Sequence, residues 1–331
     1  MRTQFGRFIL NSPFRIAMPI GVNAGLEITG STVLDALTDP DKQAEAVIAL
    51  HKRFETPVLL TAMDLSVEAE AFGCQIRISD GEIPTVIGRK VTSRDEIDQL
   101  PVPSINDGRC NVHLHTARSL AETVNGIPVL GSVIGPFSLA GRLFGVSEAL
   151  ELSLTDPGMM HALLKKATQF LIEFVSAFHS HGATGVIMAE PAAGLLSPRG
   201  LLKFSSAYIK EIIEATQTES FTLILHNCGA RNVHLPAILE SSAEIFHFGA
   251  PMDIGQALRG VNEDIILAGN LDPVGVFLNG TVEEVKAQTS TLMEMSQGHA
   301  NFIVSSGCDI PPHSPVENLA AFYEVVKEYS N

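Results

Sequence analysis

The 331-residue sequence predicts an α/β fold of the TIM-type (β/α)8 barrel class, with a hairpin-containing insertion after the second strand. Three observations predict it. Short apolar, β-branched runs number about eight, the count such a barrel requires. Helix-length segments alternate with them, the pattern of a parallel sheet with crossover helices. Glycines, prolines and chemically capable side chains gather just after the runs, at the strand ends where barrels of this class build their sites.

Taken in order, the candidate strands are Ile16–Val22, Val58–Met63, Pro128–Ile134, Gly185–Ala189, Thr222–Leu225, Glu244–Phe248, Ile265–Ala268 and Phe302–Val304. Asp39-Pro40 opens a helix over Asp41–Phe54, with Asp39 as cap and Pro40 at the first helical position. Asp156-Pro157 opens a long helix to His181, which Gly182 can terminate. Ser197-Pro198 opens Arg199–Thr218, and Ser314-Pro315 opens Val316–Tyr329. Between Asp64 and the third strand lie roughly sixty residues, too many for a simple connection. Within them Cys74–Ile78 and Ile83–Ile87 flank Ser79-Asp80-Gly81-Glu82, a hairpin signal. A helix over Val112–Thr123 leads back to the barrel. Ile97–Asn106, with Pro101 and Pro103, is the most linker-like stretch, but it sits inside this insertion, so one domain over residues 1–331 is expected.

Composition narrows the function classes. With 22 Lys+Arg against 37 Asp+Glu the formal net charge is -15, and no basic run offers a nucleic-acid footprint. The longest uncharged run, Thr123–Gly141, is broken by Gly126, Pro128, Gly131, Gly135 and Pro136, so no membrane span is expected. The N-terminal stretch around Arg2 and Arg7 lacks the apolar segment of a secretion signal, and a cytoplasmic location is expected. Four cysteines are too few for a disulfide scaffold; Cys74 and Cys110 read as small buried hydrophobes.

Cys228 and Cys308 differ in sitting just past strands, beside glycines. His226 and Cys228 are two apart on an extended chain, so both can face one point, and Cys308 follows another strand of the same kind. One imidazole and two thiolates suit zinc, and a fourth position left open would make the site catalytic. Glu190, at the end of the fourth strand, is the candidate catalytic carboxylate. Asn23, Asp64 and Asn270 are candidate substrate contacts. Asp64 reads equally as a cap for Ser66–Ala71, and Asn270 with Asp272 as braces of the mouth. His113, His115, His234, His299 and His313 follow no ligand spacing and read as surface or helix residues.

These residues also carry a family resemblance. The pieces are Glu68-Ala69-Glu70-Ala71-Phe72-Gly73-Cys74, Gly135-Pro136-Phe137-Ser138-Leu139-Ala140-Gly141, Leu196-Ser197-Pro198, His226-Asn227-Cys228-Gly229, Gly269-Asn270-Leu271-Asp272-Pro273, and Gly307-Cys308-Asp309-Ile310-Pro311-Pro312 with Pro315-Val316-Glu317-Asn318. Together they make the chain resemble the uroporphyrinogen decarboxylase superfamily, in its methylcobalamin-dependent (coenzyme M type) methyltransferase branch. The resemblance implies zinc on His226, Cys228 and Cys308. It also implies a methyl-cobalt corrinoid as donor, on a partner carrier protein, and a small-molecule acceptor, a thiol or tetrahydrofolate. Two departures stand out. Pro19–Gly25 lacks the arginines with which the decarboxylases grip porphyrinogen carboxylates. Where the zinc enzymes can place an acidic ligand near the sixth strand end, this chain has Gly249-Ala250. Glu190, Asp253, His247, water or substrate is left to complete the site. The rival functions are uroporphyrinogen decarboxylase itself and a non-catalytic corrinoid- or partner-binding barrel.

Overall fold

The computed structural model describes residues 2–79 and 82–329. Its sheet runs β1 (Leu59–Leu60), β4 (Val129–Ile134), β5 (Gly185–Ala189), β6 (Thr222–Asn227), β7 (Ile245–Phe248), β8 (Ile266–Leu271) and β9 (Phe302–Ser306). Every neighbouring pair in it is parallel. The remaining strands, β2 (Gln75–Arg77) and β3 (Thr85–Ile87), form a separate antiparallel pair between β1 and β4, with Ile76 opposite Val86. The Asp80-Gly81 turn expected there lies outside the described residues.

The first expected strand, Ile16–Val22, is the main departure. It touches the sheet through a single bridge, Ala17 to Val304, with Met18 N–H donating to Val304 O at 2.9 Å and Val304 N–H to Ile16 O at 3.0 Å. Residues 16, 18 and 20 point their backbone groups at β9, which turns position 19 toward β1. Pro19 has no N–H to donate there, so no ladder to β1 forms among the described residues. The run then ends early, because Val22 begins a helix, Val22–Thr29. The lumen is nonetheless closed by side chains: Ile16, Met18 and Ile20 pack with Val58 and Leu60.

Strand alternation decides what fills the barrel. Ile187, Ile224, Ile245, Ile266 and Ile303 point inward and form one apolar layer with Leu130. Their neighbours Val186, Leu223, Phe246, Leu267 and Phe302 pack outward against the helices. Two residues further along three of these strands, the inward positions turn polar: His226 after Ile224, His247 after Ile245, Ser305 after Ile303. A polar layer therefore stands directly on an isoleucine floor.

The helices follow their caps. Asp39 accepts from Asp41 N–H and Lys42 N–H to start Pro40–Phe54, and Asp156 accepts from Met159 N–H to start Pro157–Ser180. Ser197 accepts from Gly200 N–H. The helix it opens is Pro198–Leu201, then a π-helical turn over Leu202–Ser206, then Ala207–Thr216. The linker-like stretch begins inside a short helix, Arg94–Gln99, opened by a capping box between Ser93 and Glu96.

The long helix lies close on the sheet because β4 carries Gly131. A Cβ there would fall 2.4 Å from the ring of the fully buried Phe178. Gly131→Ala should therefore overpack this interface and lower the unfolding free energy by about 1–3 kcal/mol. Urea denaturation checks this; an unchanged midpoint would show that the helix can retreat freely.

Candidate functional site

The mouth is built from three loops that follow β6, β7 and β9. On β6, His226 points into the lumen, fully buried, and Cys228 two residues later keeps the same direction at the strand end. Cys308 reaches the same point from the loop after β9. One ligand atom from each of His226, Cys228 and Cys308 lies within 4.8 Å of the others, and among the described residues this is the one cluster of three or more such side chains that could hold a metal ion.

Two glycines make that approach possible. At Gly249 a Cβ would sit 2.2 Å from the Cys228 carbonyl oxygen and 2.8 Å from its Cα. At Gly307 a Cβ would meet Ala250 N at 2.8 Å and Gly249 Cα at 3.1 Å. The backbones of the three loops are thus in contact around the two thiols. No side chain of any kind, acidic or otherwise, fits at position 249.

The chemistry of the cluster suits a soft divalent cation. His226 Nε2 is buried and has no hydrogen-bond partner, an arrangement costly for a polar atom unless a ligand accepts its lone pair. A hydrogen bond with Cys308 pushes the Cys228 thiol down to about 7, against burial, which pushes it up. The same hydrogen bond, with burial adding to it, pushes Cys308 up to about 12. One thiolate already forms near neutrality, and metal binding would displace the second thiol proton to solvent. The residues present therefore fit zinc.

Beneath the ligands, His226 Nδ1 lies 2.7 Å from His247 Nδ1, and His247 Nε2 lies 2.8 Å from Ser305 Oγ, which donates to Met18 O at 2.6 Å. Neither His247 as a partner of His226 nor Ser305 was expected from the sequence. The signal was present as alternation: both stand two residues after an inward isoleucine.

The other expected site residues are held by neighbours. Glu190, buried at the end of β5, accepts from Phe137 N–H (2.8 Å), Ser138 N–H (2.9 Å) and Ser205 Oγ (3.1 Å). It caps the first turn of the helix Pro136–Phe144, and Gly135 makes room: a Cβ there would lie 2.5 Å from the carboxyl carbon. Asp64 accepts from Ser66 N–H (3.0 Å) and Ser66 Oγ (2.6 Å), and its second oxygen is paired with Arg109, which also binds Glu70 at 2.7 Å. Asn23 is in the helix Val22–Thr29 rather than after a strand, and donates to Ile310 O (2.9 Å) and Asp309 (3.3 Å). Asn270 donates to Gly249 O (3.0 Å) and Met252 O (2.7 Å), bracing the loop after β7. Asp253 caps the helix Ile254–Gly260, accepting from Gln256 N–H at 2.8 Å. His113 and His234 are helix residues, buried in the helix Cys110–Thr123 and the 3-10 turn Asn232–His234, and Cys74 is partly rather than fully buried.

Glu68 was not singled out. It is fully buried beside the Asp64–Arg109 pair. One oxygen accepts from Ile134 N–H at 2.8 Å; the other has no partner. Burial pushes its carboxyl up to about 8.

No helix among the described residues is long and apolar enough to cross a membrane. A family model described as "Uroporphyrinogen decarboxylase (URO-D)" matches residues 11–329. The methylcobamide:CoM methyltransferase MtbA of Methanosarcina mazei is 30% identical over 308 residues, 92% of this chain and 89% of that protein. The uroporphyrinogen decarboxylase of Psychromonas ingrahamii is 24% identical, covering 88% of this chain and 84% of its own. A solved methyltransferase structure from Methanosarcina mazei superposes with a TM-score of 0.88 at 22% identity, over 98% of this chain and 97% of that one, which shows the same fold.

The raised Glu68 value carries a pH signature. The folded protein holds this proton more tightly than the unfolded chain. Its contribution to stability is therefore complete below about pH 4.5 and is lost as pH rises through about 8. Glu68→Gln, which mimics the protonated form, should flatten the fall in unfolding free energy between about pH 5 and about pH 8. Urea titrations at the two pH values read this directly; equal slopes for variant and parent would contradict it.

Proposed function

The chain belongs to the uroporphyrinogen decarboxylase family, and from that premise we propose that it is a zinc-dependent corrinoid methyltransferase. It moves a methyl group from a methyl-cobalt corrinoid, presented by a separate carrier protein, to a small thiol. The observation that carries this reading is the convergence of His226, Cys228 and Cys308 within 4.8 Å at the open end of the barrel. The name of the Methanosarcina methylcobamide:CoM methyltransferase supports the same donor and a thiol acceptor. The tetrahydrofolate alternative has no support and is dropped.

In the reaction a cobalt–carbon bond breaks, a sulfur–carbon bond forms, and the acceptor's thiol proton leaves. Bound zinc would supply the charge that keeps such a thiol deprotonated at neutral pH. His226, Cys228 and Cys308 are the residues that would hold the metal, and no fourth protein ligand joins their cluster among the described residues. Two thiolates would balance the charge of a divalent ion there, whereas three imidazoles would leave a cationic site better suited to acidifying water. The isoleucine layer below excludes water from the reacting end.

Glu190 acts here as a positioning residue. Its carboxylate fixes the start of the helix after β4 by two hydrogen bonds and ties it to Ser205 by a third, in place of the catalytic role expected from its strand-end position. Asp64 is a brace for the same reason, with both oxygens engaged. Asn23 and Asn270 line separate grooves of about 300 and about 630 Å³, neither of them walled by His226, Cys228 or Cys308, and both residues act here as braces of the loops around the thiols. Free thiols as ligands fit a reducing compartment, and we place the enzyme in the cytoplasm.

Uroporphyrinogen decarboxylation is the rival. The stretch Pro19–Gly25 has no arginine for a poly-acid substrate, and the decarboxylase chemistry gives no reason to gather two thiols and an imidazole. The test joins metal content to turnover. Purified protein should hold near-stoichiometric zinc, and Cys228→Ser/Cys308→Ser should lose it. Methylcobalamin demethylation with coenzyme M should fall by at least about 100-fold in that double variant, beyond the 10–100-fold typical of losing an outer-shell partner. Zinc retained by the double variant, or absent from the parent, would sink the proposal.

A further inference from the structure

The hydrogen bonds beneath His226 have a direction, and it can be read from the chain's own donors and acceptors. Met18 O can only accept, so the single hydroxyl proton of Ser305 is committed to it at 2.6 Å. Ser305 Oγ must then accept from His247 Nε2 at 2.8 Å, which places the ring proton of His247 on Nε2. His247 Nδ1 is left with a lone pair. The 2.7 Å contact between the two Nδ1 atoms needs one donor and one acceptor, so His226 donates through Nδ1. That leaves His226 Nε2 bare, and it is the buried atom with no partner.

We propose that His247 and Ser305 are positioning residues that fix the tautomer of His226, with its proton on Nδ1 and its lone pair on Nε2, before any metal arrives. The proposal rests on the zinc reading for its use, though not for its geometry. Metal-binding histidines commonly donate their second nitrogen to a carboxylate or a carbonyl. Here a neutral imidazole takes that place, so the ring is oriented without adding a negative charge beneath two thiolates. The chain of bonds ends on the backbone of the segment 16–20, which Ser306 also holds by accepting from Ile20 N–H at 3.0 Å. The closing segment of the barrel thus serves as the anchor of the ligand's orientation.

Without the hydroxyl, the Nε2 proton of His247 would be buried with no acceptor. The pair then gains by shifting both protons: His247 would carry its proton on Nδ1 and donate to His226, whose own proton would move to Nε2 and block the ligand lone pair. The experiment is two-bond proton–nitrogen NMR of histidine-labelled, metal-free protein, paired with zinc affinity by chelator competition. Expected for the parent are Nδ1–H at His226 and Nε2–H at His247. Ser305→Ala should weaken zinc by about 10–100-fold, the size seen for lost outer-shell partners, and move the His226 proton to Nε2; Ser305→Thr, which keeps the hydroxyl, should restore both. An Nε2–H tautomer at His226 in the metal-free parent would overturn the proposal, as would Ser305→Ala binding zinc as tightly as the parent. Should the alanine variant fail to fold, the parent spectrum alone decides. A parent with the stated tautomers that takes up no zinc would overturn the metal reading and leave this one standing.

Discussion

A polar side chain inside a barrel lumen must find a partner for every donor and acceptor it carries, because burying one unpaired costs on the order of 1–3 kcal/mol. The upper lumen here contains two fully buried imidazoles side by side. Three of their four nitrogens are paired through Ser305 to a backbone carbonyl, and the fourth, His226 Nε2, faces the two thiols. The arrangement is costly as a piece of core and sensible as a ligand cradle. Burial, and then the neighbouring His226, holds His247 well below the usual histidine value, so the supporting ring stays uncharged. The thiols, the glycines and the isoleucine floor all take their meaning from that one unsatisfied lone pair.

Close backbone approach is the second constraint. Gly249 and Gly307 bring three loops together at distances no β-carbon tolerates. The absence of an acidic residue at position 249 is therefore more than a missing ligand: the backbone of Cys228 occupies the space its side chain would need. Asp253 is turned to its own helix, Glu190 to the loop after β4, and His247 to His226 and Ser305. Each protein candidate for a fourth ligand is engaged elsewhere, which favours water or substrate in that position and an open, catalytic metal site over a closed, structural one.

Much of the architecture was legible in the sequence because it depends on local rules. Asp39-Pro40 and Asp156-Pro157 start helices by capping orphan N–H groups, and the alternation through Leu223–Cys228 aims His226 and Cys228 at one point. What escaped depends on neighbours distant in sequence. Ile16–Val22 has the composition of a strand, yet Pro19 faces the edge where a ladder to β1 would form. Glu190 has the position of a catalytic carboxylate, but the helix Pro136–Phe144, more than forty residues upstream, takes both its oxygens. His247 was weighed only as a ligand; its role as a partner emerges from the parallel register that sets it beside His226.

Two buried carboxylates show why strand-end position alone does not assign chemistry. Burial pushes both Glu190 and Glu68 up. Glu190 is opposed by two backbone N–H groups and two serines, and its position at the N-terminus of a helix favours negative charge. Glu68 has one backbone donor and an unpartnered second oxygen, with the negative Asp64 nearby adding to its rise. The first is a carboxyl fixed in place by its donors, which oppose the effect of burial; the second is an acid kept protonated. Neither shares the metal cluster, so the barrel separates its carboxylates, which secure loops, from its sulfurs, which face the opening. That division is what a thiol-alkylating site needs: a carboxylate beside the acceptor would repel the thiolate, whereas a carboxylate one loop away holds the walls still.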